Sequence, residues 1–144
     1  MQVIITRVIM NSKPMICEYR VSAPRADFYN ITPEVCEAIA ESGVQEGIAV
    51  VYYPHTTAGI TINENADPDV VRDLLLGLGK AFPDRAEFCH AEGNSTAHLK
   101  ASAVGSSATV IVSGGKPVLG RWQGIFFCEF DPPRERTFFV KVMG

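Results

Sequence analysis

Tryptophan occurs once and histidine three times in these 144 residues, and the four cysteines include no Cys-x-x-Cys pair. That spacing argues against a zinc ribbon or a thioredoxin-type centre, so Cys17, Cys36, Cys89 and Cys128 read as reduced thiols, mostly buried. No apolar run approaches the ~20 residues that a membrane-spanning helix needs. The start, Met1-Gln2-Val3-Ile4-Ile5-Thr6-Arg7-Val8, lacks the charged segment and cleavage site of an export signal. A cytoplasmic protein with no membrane contact is expected. Basic excess is missing too: the formal charge is −3, which leaves no broad field for a nucleic-acid backbone, so no nucleic-acid partner is expected. Repeats, linkers and low-complexity segments are absent, and one domain over residues 1–144 follows.

What is present is a globular composition, 47% apolar and 20% charged, which excludes disorder. Val/Ile/Tyr-rich runs at 2–10 and 15–21, separated by Asn11-Ser12-Lys13-Pro14, predict a hairpin. Thr32-Pro33-Glu34 predicts a capped helix over 33–42, closed by Gly43. Residues 47–53 are nearly continuously apolar and predict a central strand covered on both sides. A short strand at 59–62 precedes Asp67-Pro68-Asp69, a second cap-plus-proline start. The helix it opens carries Val71, Leu74, Leu75 and Leu78 on one face. A third helix is predicted over 95–104, then strands at 109–112, 117–119, 125–130 and 137–142. Three helices and about eight strands, some consecutive and some helix-separated, give an α+β fold with a mostly antiparallel, sandwich-like sheet.

His55, His90 and His98 all fall in the middle third, one after the central strand, one before the third helix and one inside it. Three imidazoles around an open position suit a catalytic zinc or similar divalent ion. Unrelated surface or capping histidines account for the spacing equally well. Glu92, two residues from His90, has the place of a general base on bound water, or of a first-turn helix acid. Cys89-His90-Ala91-Glu92 contains His-x-Glu, but no Pro-Cys-x-x-Cys follows, which rejects a zinc deaminase.

Asn63-Glu64-Asn65-Ala66-Asp67-Pro68-Asp69 is dense in side-chain oxygen, yet proline stands where an EF-hand loop needs glycine. Helix capping explains Asp67 and Asp69. Asn63, Glu64 and Asn65 are assigned to orienting ligands beside the His55 loop, with Glu64 and Glu92 as the catalytic carboxylates. Asn94, Ser95 and Lys100, at and near the start of the third helix, form a candidate anion site or an ordinary N-cap. Trp122 and Gln123, in the turn Gly120-Arg121-Trp122-Gln123-Gly124, offer a stacking surface, with core filling as the alternative. Arg134-Glu135-Arg136 reads as a solvated strand end whose arginines also suit phosphate.

Four ordered segments, His55-Thr56-Thr57-Ala58-Gly59, Thr61 to Val70, His90-Ala91-Glu92-Gly93-Asn94 with Ala97-His98-Leu99-Lys100-Ala101, and Leu119 to Ile125, closely resemble the YjbQ-like family. Members of that family are often labelled secondary thiamine-phosphate synthase enzymes. The likeness runs from about residue 3 to the C-terminus. It implies an α+β sandwich-like fold, a homotrimer, and a metal site at His55, His90 and His98. Its polar positions fall on Asn63, Glu64, Asn65, Asp67, Glu92 and Asn94, and its aromatic turn on Trp122-Gln123-Gly124. Arg121 stands where the resemblance leads one to expect threonine or another small residue.

The implied activity is a metal-dependent transferase joining a pyrimidine pyrophosphate to a thiazole phosphate. Zinc is the first expectation for the divalent ion, with nickel, iron or magnesium behind it. Three imidazoles sit uneasily with pyrophosphate chemistry, which usually recruits magnesium on oxygen ligands. The alternatives are a metal-dependent hydrolase of a small phosphorylated or acylated metabolite, and a non-catalytic metal- or small-molecule-binding trimer. A small phosphorylated substrate is the expected partner.

Overall fold

The structure is a computed structural model, and it describes residues 2–8 and 16–144. Twelve elements follow in order: β1 (Ile4–Val8), β2 (Ile16–Ala23), β3 (Asp27–Asn30), α1 (Thr32–Ser42), β4 (Glu46–Tyr52), β5 (Ala58–Glu64), α2 (Pro68–Ala81), α3 (Ser95–Val104), β6 (Ser107–Ser113), β7 (Lys116–Pro117), β8 (Gln123–Glu129) and β9 (Arg134–Met143). β1 and β2 pair antiparallel, as the hairpin pattern predicts. The Asn11–Pro14 turn lies outside the described residues.

The strands form two antiparallel sheets, one of six strands in the order β1-β2-β9-β4-β6-β7 and one of three in the order β3-β8-β5. Alternate side chains of the large sheet, among them Tyr19, Val21, Ala49, Val51, Phe138 and Val140, meet Tyr29, Ile60, Ile125 and Phe127 of the small one, with Val35, Ala38 and Ile39 of α1 closing one end. The opposite face of the small sheet carries Phe28, Phe126 and Cys128. Ala97, Ala101 and Val104 of α3 pack on it, with the Val71, Leu74, Leu75 and Leu78 stripe of α2. The result is an α+β sandwich whose smaller sheet is covered on both sides.

Four expectations need correction. β4 is central but covered on one side only: Ile48 and Tyr52 stay exposed while Ala49 and Val51 are buried. The strand buried on both faces is β8, where every residue from Gly124 to Glu129 is buried. Thr32 does not cap α1; the N-cap is Ile31, without a side-chain bond. The Thr32 hydroxyl instead donates to Asn30 Oδ1 and accepts from the Ile125 amide, tying the helix to β3 and β8. Finally β3 joins the predicted strands, and of the four free thiols only Cys17 and Cys128 are buried.

α2 behaves as its sequence dictates, since Asp67 Oδ1 accepts from the Asp69 amide and Pro68 opens the helix. α3 sits on β5 because residue 59 is glycine. A Cβ there would come within 2.8 Å of both the Gly105 carbonyl oxygen and Val104 Cγ1. The close approach lets Ile60 N–H donate to that same carbonyl at 3.0 Å. It also fixes the C-terminal end of α3 against β5.

Candidate functional site

All three histidines line one open cleft of about 430 Å³, together with Pro54, Thr56, Thr57, Glu92, Asn94, Arg134 and Arg136. They arrive from separate segments. His55 follows β4, His90 and Glu92 lie in the loop before α3, and His98 stands four residues after Asn94 and so shares its helix face. The arginines come from β9, which pairs with β4 in register.

His55 is held firmly. Its ring lies 4.6 Å from that of Tyr53, and its Nε2 accepts the Thr137 amide at 3.2 Å. That bond assigns the proton of the neutral ring to Nδ1. Burial, reinforced by the Arg136 charge, depresses its pKa below the ordinary value. His90 and His98 face each other edge to face with ring centres 5.2 Å apart.

Beneath the histidines lies a buried ion pair. Arg136 is 6% exposed and Glu129 0%. Arg136 Nε donates to Glu129 Oε1 at 2.9 Å, and Nη2 donates at 2.7 Å both to Glu129 Oε2 and to Thr57 Oγ1. Its guanidinium also lies over the Tyr53 ring, 5.8 Å from the centre. A second cluster forms the rim. Asp131 accepts from Arg134 at 2.7 Å and from Asn94 Nδ2 at 2.9 Å, and Glu92 lies 3.6 Å from Arg134. Burial works to raise the Asp131 pKa, but the bonds from Asn94 and Arg134 outweigh it and hold the carboxyl below its usual value. Asn94 caps no α3 amide, because its side-chain nitrogen serves the rim, and its buried Oδ1 has no hydrogen-bond partner.

The remaining sequence-selected residues are placed elsewhere. Ser95 and Lys100 belong to α3 but do not line the cleft; Lys100, two residues beyond His98, is turned about 200° from it around the helix. Asn63, Glu64 and Asn65 stand at the far end of the β5–β8 pair. That end is roughly 20 Å from the Ala58–Glu129 end beside the cleft. There Asn63 accepts from the Glu64 amide, Asn65 bonds Asn30, and the Asn65 amide donates to the Trp122 carbonyl. Trp122 is 53% exposed with Arg121 stacked 4.8 Å over its ring, while Gln123 closes its own turn on the Gly120 amide. Glu64 and Asn65 instead edge a separate groove over Phe28, Val71, Leu75 and Phe126.

Sequence reasoning missed Thr57, Glu129 and Asp131, and read Arg136 first as a solvated strand end and second as a phosphate contact. One signal was present. Glu129 is an acid inside the apolar run 125–130, and a buried carboxylate requires a buried cation.

The family model for UPF0047 proteins, YjbQ-like, matches residues 18–144. The chain belongs to that family. A UPF0047 protein of Methanocaldococcus jannaschii is 54% identical over 90% of this chain and 95% of its own length. The UPF0047 protein YugU of Bacillus subtilis is 53% identical over 83% and 92%. Among solved structures, a YjbQ/UPF0047 protein of Clostridium acetobutylicum superposes with a TM-score of 0.85 at 57% identity, covering 88% of this chain and 98% of that one. A protein of unknown function from Sulfolobus solfataricus also reaches 0.85, at 28% identity and 99% of both chains.

These findings correct the expected thiamine-phosphate synthase activity. The relatives are described as family members, with no synthase or transferase activity in their descriptions. Among the described residues, no group of three or more His, Cys, Asp or Glu side chains is arranged to hold a metal. The physical obstacle is His55, whose Nε2 is engaged by Thr137 and whose Nδ1 carries the proton, leaving neither nitrogen a free lone pair. His55, in this arrangement, is committed to the Thr137 amide.

Proposed function

We propose that this chain is an enzyme that binds a small oxyanion-bearing metabolite in the histidine cleft and moves protons on it through His90 and His98. The observation that supports this is convergence: every histidine of the chain reaches one cleft, whose floor is a buried, braced guanidinium. Imidazole is the side chain whose charge changes most readily near neutral pH, so a facing pair suits general acid–base work. Glu92, exposed at the mouth and tethered to Arg134 and Asn94, is placed to pass protons to solvent. His55, fixed by Thr137 and Tyr53, orients the ligand as a donor through Nδ1.

The test is turnover of a library of small phosphorylated and carboxylated metabolites, followed by NMR. Conversion that falls about 10²-fold or more in His90→Asn and His98→Asn is the expected outcome. Conversion indifferent to both substitutions, or no ligand at all, overturns the reading.

We also propose that the chain assembles as the homotrimer the resemblance implies. Support comes from the outer face of the large sheet, where Ile48 lies directly beside Ile111 on one strand and Met143 on the other, all three exposed.

A further inference from the structure

Arg136 is more than nine-tenths buried, yet it is not saturated. Its Nε and Nη2 are taken by Glu129 and Thr57, whereas Nη1 makes no hydrogen bond among the described residues, and the residue lines the cleft. A guanidinium carries five N–H donors, and two of them, on Nη1, remain for a ligand. Such a donor is preorganised. Glu129 grips the opposite edge at 2.9 and 2.7 Å, and Tyr53 supports the plane from one side, so the fork has little freedom to lose on binding.

The charges around it restrict what it receives. Each arginine of the cleft is already matched, Arg136 by Glu129 and Arg134 by Asp131. Glu92 is a further carboxylate, 3.6 Å from Arg134 and so left over once that arginine has met Asp131. Neither arginine is therefore a spare cation, and an excess carboxylate stands at the mouth of the site. A doubly charged phosphate monoester meets that repulsion twice over, and a singly charged carboxylate half as much.

We infer that the ligand of this cleft presents a carboxylate, received end-on by Nη1 of Arg136, and that the site discriminates against phosphate. This rests on the cleft being the functional site and narrows its substrate to carboxylic acids. It replaces the phosphorylated substrate that the sequence led one to expect.

The experiment titrates the full chain with sodium acetate and, separately, inorganic phosphate, at constant ionic strength and about pH 7.5, where phosphate is chiefly the dianion. Histidine Cε1–H and arginine Nε–H resonances are followed by NMR. Acetate is expected to shift cleft resonances saturably, with an apparent affinity about tenfold or more above that of phosphate. Glu92→Gln, at an exposed position whose loss leaves the fold intact, is expected to narrow that ratio by strengthening phosphate. Arg136→Lys, if its spectrum is folded, is expected to abolish the acetate response, because an ammonium cannot brace on Glu129 and present a fork together.

Phosphate binding as tightly as acetate in the wild type, or a ratio unmoved by Glu92→Gln, overturns the carboxylate assignment while leaving the acid–base reading standing. No histidine response to either anion overturns both.

Discussion

At the scale of single residues, the cleft couples protonation to folding through His55. Burial is the first cause of its depressed pKa and the Arg136 charge the second, so the folded protein holds this ring neutral more strongly than the unfolded chain does. The unfolded chain therefore binds the proton first as pH falls, and the sign follows. The His55 contribution is fully present above about pH 6.5, the ordinary histidine value, and is lost progressively as pH drops toward the folded value. Melting temperature measured across that window should fall for the wild type. It should fall less for His55→Asn, whose amide oxygen can replace the acceptor for Thr137 without titrating. Equal slopes in both proteins would show that His55 is not the responsive group. Asp131 acts lower on the scale: its contribution is present above the ordinary aspartate range and disappears below it, so the two effects separate in pH.

Elements decide how the cleft is built, and here Gly59 is the position that controls α3. Any side chain at 59 drives into the Gly105 carbonyl, which is backbone and cannot swing away. Gly59→Ala should therefore lift the C-terminal end of α3 from β5 and cost about 1–3 kcal/mol, as overpacking does. Urea unfolding gives the loss, and faster amide exchange in α3 than in α1 would place it. Uniform exchange across both helices would mean that α3 docking does not hinge on this contact.

The same scale shows what the sequence could express. α2 was legible because capping, proline placement and apolar spacing all act within a few residues, and α3 through the spacing of Ala97, Ala101 and Val104. β3 was not, because its four residues are bounded by Asp27 and Asn30 and gain their place only by pairing with β8. The site was half legible for a related reason. Histidines stand out as a residue type wherever they fall. The Glu129–Arg136 pair depends instead on which side of β9 faces the small sheet, a fact of register. Asn63, Glu64 and Asn65 looked adjacent to His55 because little chain separates them, but β5 runs away from the cleft and carries them to its other end.

At the scale of the molecule, the proposed trimer would account for the mismatch at β4. Its sequence is apolar on both faces, as in a strand with two covers, yet one subunit supplies only one. Ile48, Tyr52, Ile111 and Met143 remain exposed on the other face, and Ile16, Val50, Tyr52, Phe139 and Lys141 border an apolar depression there. Contiguous apolar surface on a sheet face marks an interaction site more often than a free surface. A neighbouring copy laid on this face would restore the second cover that the composition of β4 calls for. Light scattering of the wild type should then give about three times the 15.7 kDa chain mass. Ile48→Lys, which puts a charge at the centre of the row between Ile111 and Met143, should reduce it to monomers with an unchanged circular dichroism spectrum. A monomeric wild type would defeat the proposal. A trimer indifferent to Ile48→Lys would move the interface off this face and leave the apolar run of β4 to be explained by folding alone.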